Sequence, residues 1–125
     1  MEETGYLESI VEAIHQRHGF DVLAMDMSEF PLTMDVFLLA SAENRIQSRA
    51  IADHIERTAR SMGSRLHHRE GYEEGSWILL DYVDLVVHIF LPTTRSYYNL
   101  EMLWSDAPAM KYPDEAADES GRPPE

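Results

Sequence analysis

Between Ser76 and Trp104 the chain reads SWILLDYVDLVVHIFLPTTRSYYNLEMLW, and this stretch restricts the possible fold more than any other. Two apolar runs of strand length, WILL and LVVHIFL, are separated by Asp81-Tyr82-Val83-Asp84, a spacing and composition that suit a tight acidic turn. Alternation places Trp77, Leu79, Asp81 and Val83 on one face of the first run and Ile78, Leu80 and Tyr82 on the other. In the second run Val86, His88 and Phe90 share one face, and Leu85, Val87, Ile89 and Leu91 share the other. Pro92-Thr93-Thr94 then opens a helix that ends in Trp104. Trp77, Asp81, Tyr82 and Asp84 gather around one hairpin, the residue mix of a surface that grips another protein.

The rest of the chain extends this hairpin into a sheet. Thr4 is read as the N-cap of a first helix with Tyr6, Leu7, Ile10, Val11 and Ile14 on one face, and Gly19 as its stop. Phe20 to Met27 reads as a strand, Pro31 punctuates a loop, and Met34 to Ala40 reads as a strand covered on both sides. Ser41 to Asn44 is a turn with capping residues. The longest helix follows to about Ser61, with Ile46, Ala50, Ile51, Ile55, Ala59 and Met62 at helical spacing and Gly63 ending it. Arg65 to Glu70 is polar enough for an edge strand. The expected fold class is α/β (α+β), a single mixed sheet of about five strands with helices packed on it. Residues 1–104 form the expected domain. The run from 105 to 125 holds four of the six prolines and reads as an acidic, disordered tail.

Composition removes several function classes. The 125 residues carry 23 acids against 10 bases, a net charge of −13, which disfavours unaided binding to a phosphate backbone and favours a basic partner. The absence of cysteine excludes disulfides, thiol catalysis and cysteine metal sites. An acidic start, MEETGYLESI, and the lack of a membrane-length apolar run lead to an expected cytoplasmic location.

Catalytic readings are thin. His67 and His68 are adjacent on a strand and point to opposite faces, while His15 and His18 make only a pair, so no metal or other cofactor is expected. His88, alone in an apolar strand, reads as a hydrogen-bonded histidine at a core or interface edge rather than as a base. Asp81 and Asp84 are compatible with metal-dependent nucleotidyl transfer, yet aspartate at a turn also caps local N–H groups. Trp77 either covers the core under the last helix or faces a partner. Leu103 and Trp104 are assigned to the core.

Five segments in order resemble the ribosomal silencing factor family, also called Iojap-like or RsfS. They are LAMDMSEFPLTMDVFLLASA (23–42), AIADHIE (50–56), Glu70-Gly71, SWILLDYVDLVVHIFLP (76–92) and TTRSYYNLEMLW (93–104). The resemblance spans residues 5 to about 105. Val83 stands where the family usually has glycine, and Ser41-Ala42-Glu43-Asn44 replaces a Thr-Gly-Thr-Ser-like stretch. The resemblance implies a nucleotidyltransferase-like fold without catalysis. It also implies a translational repressor that binds universal large-subunit ribosomal protein fourteen and blocks joining of the small subunit under nutrient limitation. Members are often homodimers when free. On this reading the partner-binding residues are Trp77, Asp81 and Asp84, with Glu70, His88 and Tyr98 beside them. The alternatives are a magnesium-dependent enzyme using Asp81 and Asp84, and a dimeric adaptor with a non-ribosomal partner.

Overall fold

The computed structural model describes residues 2–30 and 34–114. Along the chain run α1 (Glu2–Gln16), β1 (Phe20–Asp26), β2 (Val36–Ser41), α2 (Arg45–Ser61), β3 (His68–Glu70), β4 (Trp77–Asp81), β5 (Leu85–Phe90), α3 (Pro92–Tyr98), α4 (Leu100–Leu103) and β6 (Ala109–Tyr112). The strands form one mixed sheet in the order β3-β4-β5-β2-β1-β6. Only β2 and β5 pair in parallel, and they lie at the centre. That position explains their composition: β5 is buried at every residue, and β2 at all but its first, because both faces of the sheet are covered there.

One face is closed by α1 and α2. Ile10 and Ile14 from α1 and Ile51 and Ile55 from α2 pack on Leu38, Ile78, Leu80, Val87 and Ile89 of the strands. Each such side chain stabilises the fold by roughly 1.5–3 kcal/mol through removal from water. The buried stripe of α2 is Ser48, Ile51, Ala52, Ile55 and Ala59, whereas Ile46 and Met62 lie exposed. Helical geometry turns Ile46 away from the Ile51 side, whereas Ser48 falls on the stripe, where its hydroxyl donates to the Gly75 carbonyl at 2.6 Å and ties the helix to the loop before β4. Asn44 caps α2 by accepting from the Gln47 N–H at 2.8 Å, and Gly63 follows its end, both as the residue pattern predicts.

Several boundaries differ from expectation. The backbone of α1 begins at Glu2, so Thr4 lies inside the helix rather than capping it. At its other end the left-handed residue is His18 (φ 67°); Gly19 is needed for a different reason, since a Cβ there would stand 2.4 Å from Ile14 Cγ2. The helix thus ends at Gln16, three residues before the glycine. The second strand starts at Val36 and the third at His68, each a little later than the pattern suggests. Pro31 lies outside the described residues.

The largest correction concerns the tail. Residues 109–112 hydrogen-bond to β1 as a sixth strand, with Val22 opposite Tyr112 and Met25 opposite Ala109, and the Asp26 N–H donates to Pro108 at 2.8 Å. The domain therefore runs beyond Trp104. Without β6 the outer edge of β1 would present a row of unpaired backbone groups. Residues 115–125, the rest of the expected tail, lie outside the described residues. Among the described residues no helix is long and apolar enough to cross a membrane.

Candidate functional site

The second face of the sheet is covered differently. Leu23, Met25, Phe37, Leu39, Leu79, Val86 and Phe90 meet Phe30, Met34, Leu100 and Trp104 from the connections and α4, with Trp77 at the border. Direct strand pairs share a face, so the register fixes what lies beside what: Trp77 opposite Phe90, Leu79 between His88 and Glu70, Asp81 between Val86 and His68. Moving outward from the sheet centre, this face passes from a buried histidine through Trp77 and Leu79 to an exposed hydrogen bond between His68 Nε2 and Glu70 Oε2 at 2.6 Å.

Three of the expected residues come together. Trp77 Nε1–H donates to His88 Nδ1 at 3.0 Å, and its ring lies 5.0 Å from that of Phe90 and 4.8 Å from that of Tyr98. Tyr98 is edge-on to Tyr97 at 4.9 Å. Tyr97 is 80% exposed and Tyr98 52%, and on the α4 turn that follows Met102 (71%) and Leu103 (67%) are exposed as well, an unusual density of large apolar side chains for a solvated surface. Leu103 therefore does not belong to the core. The helix breaks at Asn99 (φ 49°, left-handed), and the new turn carries Met102 and Leu103 outward while Leu100 packs inward. Trp104 is partly buried, edge-on to Phe30 at 5.2 Å.

His88 is the hydrogen-bonded core histidine that the apolar strand predicts, not one of the surface residues beside Trp77. At 3% exposure it cannot touch a partner, and burial pushes its imidazole down to about 4. It serves the surface through Trp77 instead.

The acidic residues stand apart from the aromatics. Asp81 is at the far end of β4 from Trp77, about 13 Å away along a strand. Its Oδ1 accepts from the Val83 N–H at 2.7 Å, so this carboxylate is a turn cap. The turn is a tight one: the Asp84 N–H donates to the Tyr82 carbonyl at 3.0 Å around Val83, which is held at φ 76°. Asp84 is exposed, and its main-chain carbonyl accepts from Asp35 and Val36 at 2.7 and 3.1 Å, joining the turn to β2. Among the described residues no three His, Asp or Glu side chains are grouped to hold a metal ion.

Two supports of the site escape a reading of pattern alone. Arg95, nearly buried, donates to the Asp21 carbonyl (2.7 Å) and to Ser41 Oγ (2.9 Å) and pairs with Glu101 (3.0 Å). It fixes α3 to the ends of β1 and β2, and so places Tyr98 one turn later; a lone arginine in a short helix gave no sign of this. Gly71 (φ 78°) is the second support: a Cβ there would sit 2.1 Å from the Trp77 carbonyl oxygen. The Glu70-Gly71 pair thus lets the edge loop close on the start of β4.

Comparison with known proteins agrees with this fold. The family model for "Ribosomal silencing factor during starvation" matches residues 2–125. Ribosomal silencing factor RsfS of Bacillus subtilis is 39% identical over 108 residues, covering 86% of this chain and 92% of that protein. RsfS of Halalkalibacterium halodurans is 37% identical over 105 residues, covering 84% and 90%. A crystal structure of a Chromobacterium violaceum protein superposes with a TM-score of 0.80 at 30% identity, covering 84% of this chain and 88% of that one. The chain belongs to the ribosomal silencing factor family.

Proposed function

We propose that this protein represses translation by docking on the large ribosomal subunit through universal ribosomal protein fourteen, thereby blocking the small subunit from joining when nutrients are limited. It acts by occupying space in the cytoplasm, not by catalysis. The observation that carries this reading is the pair of exposed tyrosines, Tyr97 and Tyr98, on the half-buried Trp77, with Met102 and Leu103 also exposed on the α4 helix that follows. Aromatic and methionine side chains with little charge at their centre are the composition of an interface core. The net charge of −13 supports a basic partner, with Glu70, Asp81 and Asp84 at the rim setting orientation and association rate. The same exposed face supports a homodimer when the protein is free. Asp81, already engaged as a turn cap, gives little support to a nucleotidyl-transfer role.

Co-sedimentation with purified large subunits at two salt concentrations tests this. Trp77→Ala and Tyr98→Ala should each weaken binding at least tenfold, as loss of an aromatic anchor does, with unchanged circular dichroism. Binding equal to wild type in both variants would remove this face from consideration.

A further inference from the structure

We propose that His88 is a positioning residue for docking: its Nδ1 holds the Trp77 indole against Tyr98 before any partner arrives, so the anchor is pre-formed. This rests on the docking face proposed above and concerns how that face is kept ready.

His88 lies inside the central strand β5, with Leu39 and Leu79 opposite it on the two neighbouring strands. Its ring is edge-on to Phe37 at 4.8 Å and stacked with Phe90 at 5.9 Å. An indole nitrogen can only donate, so Nδ1 must carry the lone pair and the proton must sit on Nε2. That Nε2 is buried, and among the described residues it has no hydrogen-bond partner. A buried donor without a partner destabilises the fold, and an apolar ring would fill the same space without that penalty. The compensating interaction visible here is the 3.0 Å bond from the indole N–H. Burial keeps the imidazole neutral at ordinary pH, which preserves the lone pair that the bond requires.

The consequence falls on the surface. With its N–H held inward, the indole presents a fixed ring to Tyr98 at 4.8 Å, and Tyr98 in turn meets Tyr97. Aromatic anchors ordered in the free protein lose less freedom on association, and affinity rises accordingly.

The test uses the full chain with Trp104→Phe, leaving Trp77 as the sole indole. In ¹⁵N-labelled protein, a through-hydrogen-bond coupling should join Trp77 Nε1 to His88 Nδ1, and the indole N–H should exchange slowly with solvent. His88→Asn keeps an acceptor at nearly the same place; His88→Phe keeps the volume without one. The Asn variant should retain slow exchange and bind large subunits within about twofold of its parent. The Phe variant should exchange fast and bind about fivefold to tenfold more weakly, the range expected for one anchor that must be ordered on binding. Absence of the coupling, together with free exchange in the parent, overturns the proposal even if both variants fail to fold. So does tight binding by His88→Phe when Trp77→Ala binds weakly. If Trp77→Ala itself binds as the parent does, the docking face is wrong and the positioning role falls with it.

Discussion

The two faces of the sheet are built from the same strands but follow different rules. On the face under α1 and α2, the side chains are mostly aliphatic and almost fully buried, with Tyr82 among them. On the other, a core of Met25, Phe37 and Phe90 gives way sideways to Trp77 and the exposed α3–α4 surface. The first face is closed by a 15-residue and a 17-residue helix, the second by the connection carrying Phe30 and Met34 and by elements of 7 and 4 residues, and that difference in cover leaves aromatic surface exposed. On the proposed function, one sheet carries its stability on one side and its recognition on the other.

That division is most open to attack on the helix-covered side. Ile55→Ala should lower stability by roughly 2–5 kcal/mol, read from the shift in a urea unfolding curve, because it leaves a cavity in the closed layer. The folded fraction should bind large subunits as wild type does. A selective loss of binding, without loss of stability, would break the separation of the two faces.

The histidine beneath the open face gives the next largest effect. Burial lowers the His88 pKa to about 4, while the unfolded chain titrates near 6.5. The unfolded state therefore takes up the proton first as pH falls. The stability due to neutral His88 is complete above pH 6.5 and is lost as pH drops through the window down to 4. Between pH 7 and 5 the wild type should lose on the order of 2 kcal/mol more than His88→Phe, measured as the difference in unfolding midpoints. Parallel pH profiles for the two proteins would contradict the burial argument.

Smaller effects lie in the acidic turn. Val83, a β-branched residue at φ 76° with a half-exposed side chain, sits in a backbone region that such residues rarely adopt. Val83→Gly should raise stability by about 1 kcal/mol, since relief of strain exceeds the added freedom of the unfolded chain. Asp81→Ala should lower it by about 1 kcal/mol through loss of the bond to the Val83 N–H. Asp84→Ala should change stability by less than about 0.5 kcal/mol, being exposed, and should slow association with large subunits at low salt only.

How much of this was legible from residues alone differs between the faces as well. The apolar runs WILL and LVVHIFL with the acidic turn between them identify β4 and β5, and burial alternates along β4 while it is continuous along β5. β2 was recognisable as covered on both sides because its run is apolar on both faces, but its parallel pairing with β5 was not. Ala109–Tyr112 was not, since a four-residue edge strand between Pro108 and Pro113 has the composition of a linker and gains its order only by pairing with β1. Leu103 was misplaced because helical periodicity assumes one continuous helix, whereas Asn99 starts a second. Within the site, Trp77 and Tyr98 were identifiable by residue type, but the inward role of His88 depends on a hydrogen bond between neighbouring strands. Asp81 and Asp84 are close to Trp77 in sequence and distant along the strand.

Amide hydrogen exchange of the protein, free and bound to large subunits, tests the division most directly. Added protection is predicted for β4 and for residues 95–104, with α1 and α2 exchanging as in the free protein. Protection concentrated in α1 or α2, with residues 95–104 unchanged, would place the docking surface on the wrong side of the sheet.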